Sequence, residues 1–251
     1  EAVTNSSTQM AVGMGSLGTF QFNQDGGASS NAIDDVLPKA YEEAWDGTSH
    51  ASSFHSFGSS TQSGSVDYRT PALSIGELSI SLTATMDPNS GSGPAAAGGV
   101  GGNDSSGEAY TAKISGMGFT IGAGHETYAH NAAGTTGASD GDRATGYILY
   151  SNGPLSVGYQ EMAQNSANLG DNTTQAPDVE ADGMAIAFTQ DNLSVSYAEV
   201  TEQVQNISAT TQMETEMTAL QATYTMGAMT LGMSMYETDN PEGTTGKCEE
   251  T

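Results

Sequence analysis

The chain has 251 residues, enough for one large domain, and sets 30 Asp plus Glu against five Lys plus Arg for a net charge of −25. That balance argues against nucleic acid as a partner, because phosphate binding requires a basic surface. No stretch holds the roughly 18 apolar residues of a membrane-spanning helix, although a barrel strand needs only about 9–11 residues with one apolar face. Disorder is disfavoured too: short apolar segments recur with period 2, and Tyr and Phe are spread through them. With Cys248 as the single cysteine there is no internal disulfide framework. The chain opens at Glu1 without a basic-then-apolar leader, so the expectation is a processed chain or a fragment.

Taken in order, strands are predicted over residues 9–14, 18–24, 64–70, 77–86, 108–115, 119–128, 142–150, 155–164, 180–189, 193–202, 214–226 and 229–237. Five segments carry the pattern most plainly: Leu78-Ser-Ile80-Ser-Leu82, Phe119-Thr-Ile121, Leu155-Ser-Val157-Gly-Tyr159, Leu193-Ser-Val195-Ser-Tyr197 and Met229-Thr-Leu231-Gly-Met233. Apolar residues alternate there with Ser, Thr or Gly, which is the signature of a strand whose two faces meet different surroundings. Such windows are poor helix formers. The five starts lie 36–41 residues apart.

Four of these segments follow a tight turn that ends another strand. The turns are Gly116-Met-Gly118, Ser151-Asn-Gly-Pro154, Gln190-Asp-Asn192 and the stretch around Gly227, rich in residues that supply hairpin backbone angles. Beyond the segments the chain becomes polar and small, over residues 87–107, 129–141, 165–178 and 202–212. Short turns at one end and long loops at the other mark a transmembrane up-and-down β-barrel. A sandwich or solenoid has no reason to keep this asymmetry. The polar face carries Glu77, Ser79, Ser81, Thr83, Lys113, Gln221 and Thr223, more than one small lumen could bury, so a wet interior and an outward apolar face are expected. Tyr110, Tyr150, Tyr159, Tyr197, Tyr224 and Tyr236 would then suit an interfacial girdle; the plainer alternative is that they are ordinary strand residues. Residues 147–150 are apolar on both faces, and their register stays open.

At Gly64-Ser-Val66-Asp-Tyr68-Arg-Thr-Pro71, followed by Gly76-Glu-Leu78-Ser-Ile-Ser-Leu82, the sequence resembles proteobacterial general diffusion porins, of an alphaproteobacterial-like kind. That family carries a strand of the form Asn-Ser-Val-Arg-Tyr-x-Ser-Pro, a short turn with Gly, and a strand alternating Ser with apolar residues. Here Asp67 and Arg69 flank Tyr68, which departs from the family's charge order. Upstream, Met14-Gly-Ser-Leu17-Gly-Thr-Phe20-Gln-Phe22 resembles the turn and strand before the family's inward-folded third loop.

The resemblance implies a single porin-type all-β domain over residues 1–251, with residues 25–63 as a loop folded into the barrel. Asp34, Asp35, Lys39, Glu42, Glu43 and Asp46 would form the pore constriction, with Asp67, Arg69, Glu77 and Lys113 on the pore wall. Strand parity points Lys113 and Arg69 into the lumen, while Arg143 stays ambiguous and could sit at a rim. The long inward loop follows the fifth of about 16 strands, so residues 9–14 become the fourth strand and 229–237 the fifteenth. About twelve strands would be present, and the chain is expected to be incomplete at both ends. The implied function is passive diffusion of small hydrophilic solutes and ions through a channel in a Gram-negative outer membrane. It needs no catalysis and no cofactor; the partners would be outer-membrane lipid, lipopolysaccharide and two further copies in a homotrimer. So few basic residues predict a cation preference.

Other motifs carry less. Gly137-Ala-Ser139-Asp-Gly141 matches the nucleophile-elbow pattern but lies in a polar loop, not between a buried strand and a helix. Gly98-Gly-Val-Gly-Gly102-Asn103 resembles one calcium-binding solenoid repeat and occurs once. His50 with His55, or His125 with His130, lack the further ligands of a recognisable metal site. The acidic loop groups Asp171, Asp178, Glu180 and Asp182 could supply oxygen ligands to Ca²⁺, at no position the sequence fixes. The rival reading is a secreted or surface acidic β-rich adhesin or calcium-stabilised binding protein. A β-rich hydrolase rests on the loop serine alone.

Overall fold

A computed structural model describes residues 8–24, 29–46, 57–58, 64–88, 104–130, 140–166, 178–205, 213–240 and 247–250. The strands are β1 (Thr8–Gly13), β2 (Thr19–Gln24), β3 (Ser65–Arg69), β4 (Leu73–Ile75), β5 (Leu78–Asp87), β6 (Asp104–Gly116) and β7 (Phe119–His130). They continue with β8 (Gly141–Asn152), β9 (Leu155–Asn165), β10 (Asp178–Gln190), β11 (Leu193–Gln205), β12 (Met213–Met226), β13 (Met229–Asp239) and β14 (Lys247–Glu250). All belong to one antiparallel sheet whose spatial order is the chain order, β1-β2-β3-β5 and onward to β14, with β4 paired to β5 off that path. This is the up-and-down order that the hairpin spacing predicts.

Each of the twelve predicted strands is present. Two further short ones, β4 and β14, were not expected. β3 and β4 both pair with β5, so they form one course of the wall, broken at Thr70-Pro71-Ala72. Proline has no N–H to give the ladder, and the sequence around it reads as a turn. The true turn comes later, at Gly76-Glu77. Lys247–Glu250 shows no apolar alternation at all, and only its pairing with β13 reveals it as a strand.

Several strands also run further toward the long loops than predicted. β6 begins at Asp104 and β10 at Asp178, while β11 continues to Gln205. Past the apolar band both faces of the wall are polar, so the ladder continues where alternation has stopped. Asp178, Glu180 and Asp182 are therefore strand residues, not loop residues. At the opposite end the hairpins are tight: Met117 and Gly118 both take positive φ, 54° and 83°, and join β6 to β7 with no spare residue.

The two faces of the sheet are inverted relative to a water-soluble protein. Outward stand Ile121, Ile148, Val157, Ile186, Leu220, Leu231 and Met233, the last 71% exposed. Inward are Gln160, Glu126, Thr85, Gln221 and Thr238, each almost fully buried. The register settles residues 147–150: Tyr147 and Leu149 point inward, Ile148 and Tyr150 outward. Of the proposed girdle, Tyr110, Tyr159, Tyr197 and Tyr224 are outward and exposed. Tyr236 is not among them. It is buried and faces the interior, one residue out of phase with the outward Met233 and Met235. On the long-loop side the outward band ends in a repeated pairing, in which Tyr110 donates to Glu108, Tyr159 to Glu161 and Tyr197 to Glu199 across adjacent same-face positions.

Candidate functional site

Of the chain between β2 and β3, residues 29–46 and 57–58 are described, and they lie inside the curve of the sheet. Ile33 packs beside Gly124 of β7 and Pro38 beside Gly158 of β9, while the ring of Tyr41 rests on Gly232 of β13. Nine residues thus reach across strands β7 to β13. A chain of that length spans at most about 30 Å, close to six inter-strand spacings of about 4.8 Å, so it runs across the strands like a strap. Contact with so many strands from one short segment requires the sheet to curl around it.

Two glutamines receive this strap. Gln160 of β9 donates from Nε2 to the carbonyls of Ile33 and Asp34 (3.1 and 2.9 Å), and its Oε1 accepts the amide of Val36 (3.2 Å). Gln221 of β12 accepts the amides of Tyr41 and Glu42 (3.1 and 3.2 Å) and donates to the Glu42 carbonyl (2.7 Å). Between them the amide of Ala40 donates to Ser196 of β11 at 2.8 Å. A backbone segment away from other strands must satisfy its polar groups somewhere, and here wall side chains do so. Leu37, Ala44 and Trp45 then bury themselves against Met162, Ala181, Ala185, Ala198, Val200, Met217 and Ala219, a patch of mostly small inward residues that leaves room for them.

Further along, the amide of Gly58 donates to Glu126 of β7 at 2.8 Å. The same carboxylate pairs with Arg143 of β8 at 3.2 Å, both side chains being buried, and the Arg143 guanidinium lies 4.4 Å from the centre of the Tyr128 ring. Arg143 is thus a buried inward group near the long-loop end of β8, paired with the carboxylate that receives Gly58.

The acidic residues predicted on this segment fall on the strap. Asp34 and Asp35 are half-buried, Glu43 likewise, and Glu42 and Asp46 are exposed. Lys39 pairs with Glu43 and lies 3.7 Å from Asp35, so its charge is compensated within the strap. Burial first, then the neighbouring Asp35, pushes the Asp34 carboxyl up to about 7. Glu42, Glu43 and Asp46 bring carboxylate oxygens within 4.8 Å of one another, but Glu43 already has Lys39 as counter-ion.

On the β2–β6 side the inward residues are polar and charged. Asp67 is fully buried and accepts from Asn23 at 2.8 Å; Arg69 donates to Gln21; Thr83 and Thr111 share a hydrogen bond across β5 and β6. Lys113 faces Ser81 in the register and is exposed. Glu77 departs from expectation: it sits in the β4–β5 turn at the short-turn rim, not on the wall. His125 is outward on β7, 4.0 Å from Asp142, and makes no cluster with other ligands among the described residues. His50, His55, Ser139, Asp171 and the stretch 98–103 lie outside the described residues.

Sequence reasoning missed Gln160, Glu126 and the glycines under the strap, and took Gln221 only as one polar lumen residue. Their signal was parity: a Gln, Glu or Gly on the face opposite Tyr159, His125 or Val157 points to the interior, but nothing local says what it holds.

No protein-family model and no curated protein matches the chain. Among solved structures it is similar to a porin refined at 1.8 Å resolution, with 14% identity, coverage of 90% of this chain and 74% of that one, and a TM-score of 0.59. It is also similar to an anion-selective porin from Comamonas acidovorans, with 11% identity, coverage of 97% and 72%, and a TM-score of 0.61. At these identities the likeness is one of fold: the sheet is the antiparallel up-and-down wall of the porin type.

Proposed function

We propose that the chain is the wall and constriction of an outer-membrane porin, a water-filled channel for passive diffusion of small hydrophilic solutes and ions. The observation that carries this is the inversion of the sheet, with an exposed apolar band outside and buried glutamines, threonines and charges inside. A strap pinned across such an interior narrows the passage. The chemistry required is geometric exclusion plus the field of the lining charges, with no cofactor and no reacting group. The same reading carries a setting in outer-membrane lipid and lipopolysaccharide and assembly as a homotrimer, which the sequence resemblance implies. An acidic adhesin would instead keep its apolar residues inside and dissolve without detergent.

Selectivity follows from which charges face the water. Lys39 is neutralised within the strap and Arg143 by Glu126, while Glu42 and Asp46 are exposed on it. We assign the channel a cation preference on this basis; the Comamonas acidovorans protein, on the same fold, is anion-selective, so the sign is set by side chains and not by architecture. The test is a reversal potential across a salt gradient in a planar bilayer. The quadruple variant Asp34→Asn, Asp35→Asn, Glu42→Gln, Glu43→Gln should lose most of the cation preference. An unchanged potential would remove the strap from the selectivity mechanism, and absence of conductance in the wild type would remove the channel. Raising the salt tests the same assignment, because charges on outer loops are screened within about 8 Å at physiological ionic strength.

A further inference from the structure

The strap is held unlike an ordinary surface loop. Three inward positions of the wall beneath it lack a side chain, and a Cβ at each would meet the strap. At Gly124 it would lie 2.5 Å from Phe57 and 2.6 Å from Ile33 and at Gly158 2.6 Å from Pro38, both too close to fit, while at Gly232 it would make an ordinary contact of 3.4 Å with the ring of Tyr41. These are sockets in the wall, spaced along the strap.

Two glutamines, on β9 and β12, lie between the outer of these glycines. Gln160 and Gln221 are 0% and 2% exposed, and each uses both ends of its amide on strap backbone, donating to a carbonyl and accepting an amide. Each is in turn aimed by a wall neighbour. Gln160 Nε2 also donates to Thr145 at 3.1 Å, and Gln221 Nε2 to the Tyr236 hydroxyl at 3.3 Å. A primary amide is the side chain that can replace one rung of a β-ladder, because it carries a donor and an acceptor side by side. Alanine at either place would leave strap carbonyls and amides buried without partners, which costs more than the bond itself contributes.

We propose that Gln160 and Gln221 are positioning residues that lock residues 33–46 onto the β7–β13 wall, making the segment a fixed strap and not a mobile gate. That they thereby set the calibre of the passage rests on the porin reading above; that they hold the strap does not. Neither touches a permeating solute. They act through the backbone of Ile33, Asp34, Val36, Tyr41 and Glu42.

Trp45, the single tryptophan of the chain, is 7% exposed beneath the strap and reports its seating directly. The experiment compares the wild-type chain in detergent with Gln160→Ala, Gln221→Ala and the double variant. Gln203→Ala serves as control, an outward glutamine of β11 that donates to Glu214. The expected result is a red-shifted Trp45 emission and acrylamide quenching raised several-fold in the double variant, with smaller changes in the singles and none in the control. Far-UV circular dichroism should stay unchanged, which a general loss of barrel structure would not permit. Amide exchange at Tyr41 and Glu42 should accelerate by about fivefold, the factor expected from losing roughly one net hydrogen bond. Gln221→Glu keeps the acceptor for both amides and loses the donor to the Glu42 carbonyl, so it should fall between wild type and Gln221→Ala. In the bilayer the double variant should show raised open-channel noise. Where the double variant does not refold, the singles carry the same measurement. Unchanged quenching and exchange in both singles would overturn the proposal, whether or not the chain conducts. A wild type that does not conduct, with quenching as expected, would overturn only the channel reading.

Discussion

The two halves of the interior are built for different tasks. On β7–β13 the inward face beneath the strap is built from small residues, Gly124, Gly158, Ala181, Ala185, Ala198 and Ala219, set among larger apolar ones such as Met162 and Met217, and its amides Gln160 and Gln221 bond to the strap. On β2–β6 they are Gln21, Asn23, Asp67, Arg69, Thr83, Thr111 and Lys113, and their hydrogen bonds go largely to one another. The first half is a bed, with volume removed where the strap must lie. The second ties its polar groups to one another across neighbouring strands. One alternating pattern thus serves two uses, because the inward position of a wide barrel is constrained only by what it faces.

The two halves are separated most sharply by removing a buried charged anchor from the bed and a neutral hydroxyl from the other side. Glu126→Ala leaves Arg143 buried without its carboxylate and Gly58 without its acceptor, and should cost about 3–5 kcal/mol, the range for breaking a buried pair on one side. Thr83→Val removes a part-buried hydrogen bond between two neutral hydroxyls and should cost about 1 kcal/mol. Denaturant unfolding in detergent, followed by Trp45 fluorescence, measures both. Equal costs would mean that the halves do not differ in the way described.

A smaller effect sharpens the electrostatic side. The Asp34 carboxyl sits at about 7 in the folded chain against an ordinary 3.8, so the folded state holds a proton that the unfolded state has released. Stability from this group is complete below about pH 4 and is lost as the pH rises through about 7. Over the same window the strap gains one negative charge. Cation preference should therefore rise through neutral pH, and Asp34→Asn should flatten that step in a reversal-potential titration while leaving the preference from Asp35 and Glu42.

Much of the wall was legible in the sequence, for a physical reason. A strand with an apolar outer face and a small or polar inner one shows the contrast at alternate residues, so Leu155-Ser-Val157-Gly-Tyr159 announces both its structure and its facing. Legibility fails where that contrast fails. Lys247–Glu250 is a strand without an apolar face, β6 and β10 begin in polar residues, and Tyr236 looks like a girdle tyrosine until its phase against Met233 is fixed. The acidic run from Asp34 to Asp46 was visible as a cluster on a long loop. Its seating was not, because Gln160 and Gln221 lie more than a hundred residues away and only the curl of the sheet brings them to it.

On the proposed reading, alternate wall residues face an aqueous lumen on one side and lipid on the other. Substituted cysteines along β5 test it most directly, placed singly at Ser79, Ile80, Ser81, Leu82 and Thr83 in a Cys248→Ser background and exposed to a charged, membrane-impermeant thiol reagent during bilayer recording. Cysteines replacing Ser79, Ser81 and Thr83 should react and lower the conductance, while those replacing Ile80 and Leu82 should not. Reaction at the even positions with silence at the odd ones, or equal reaction at all five, would contradict the account.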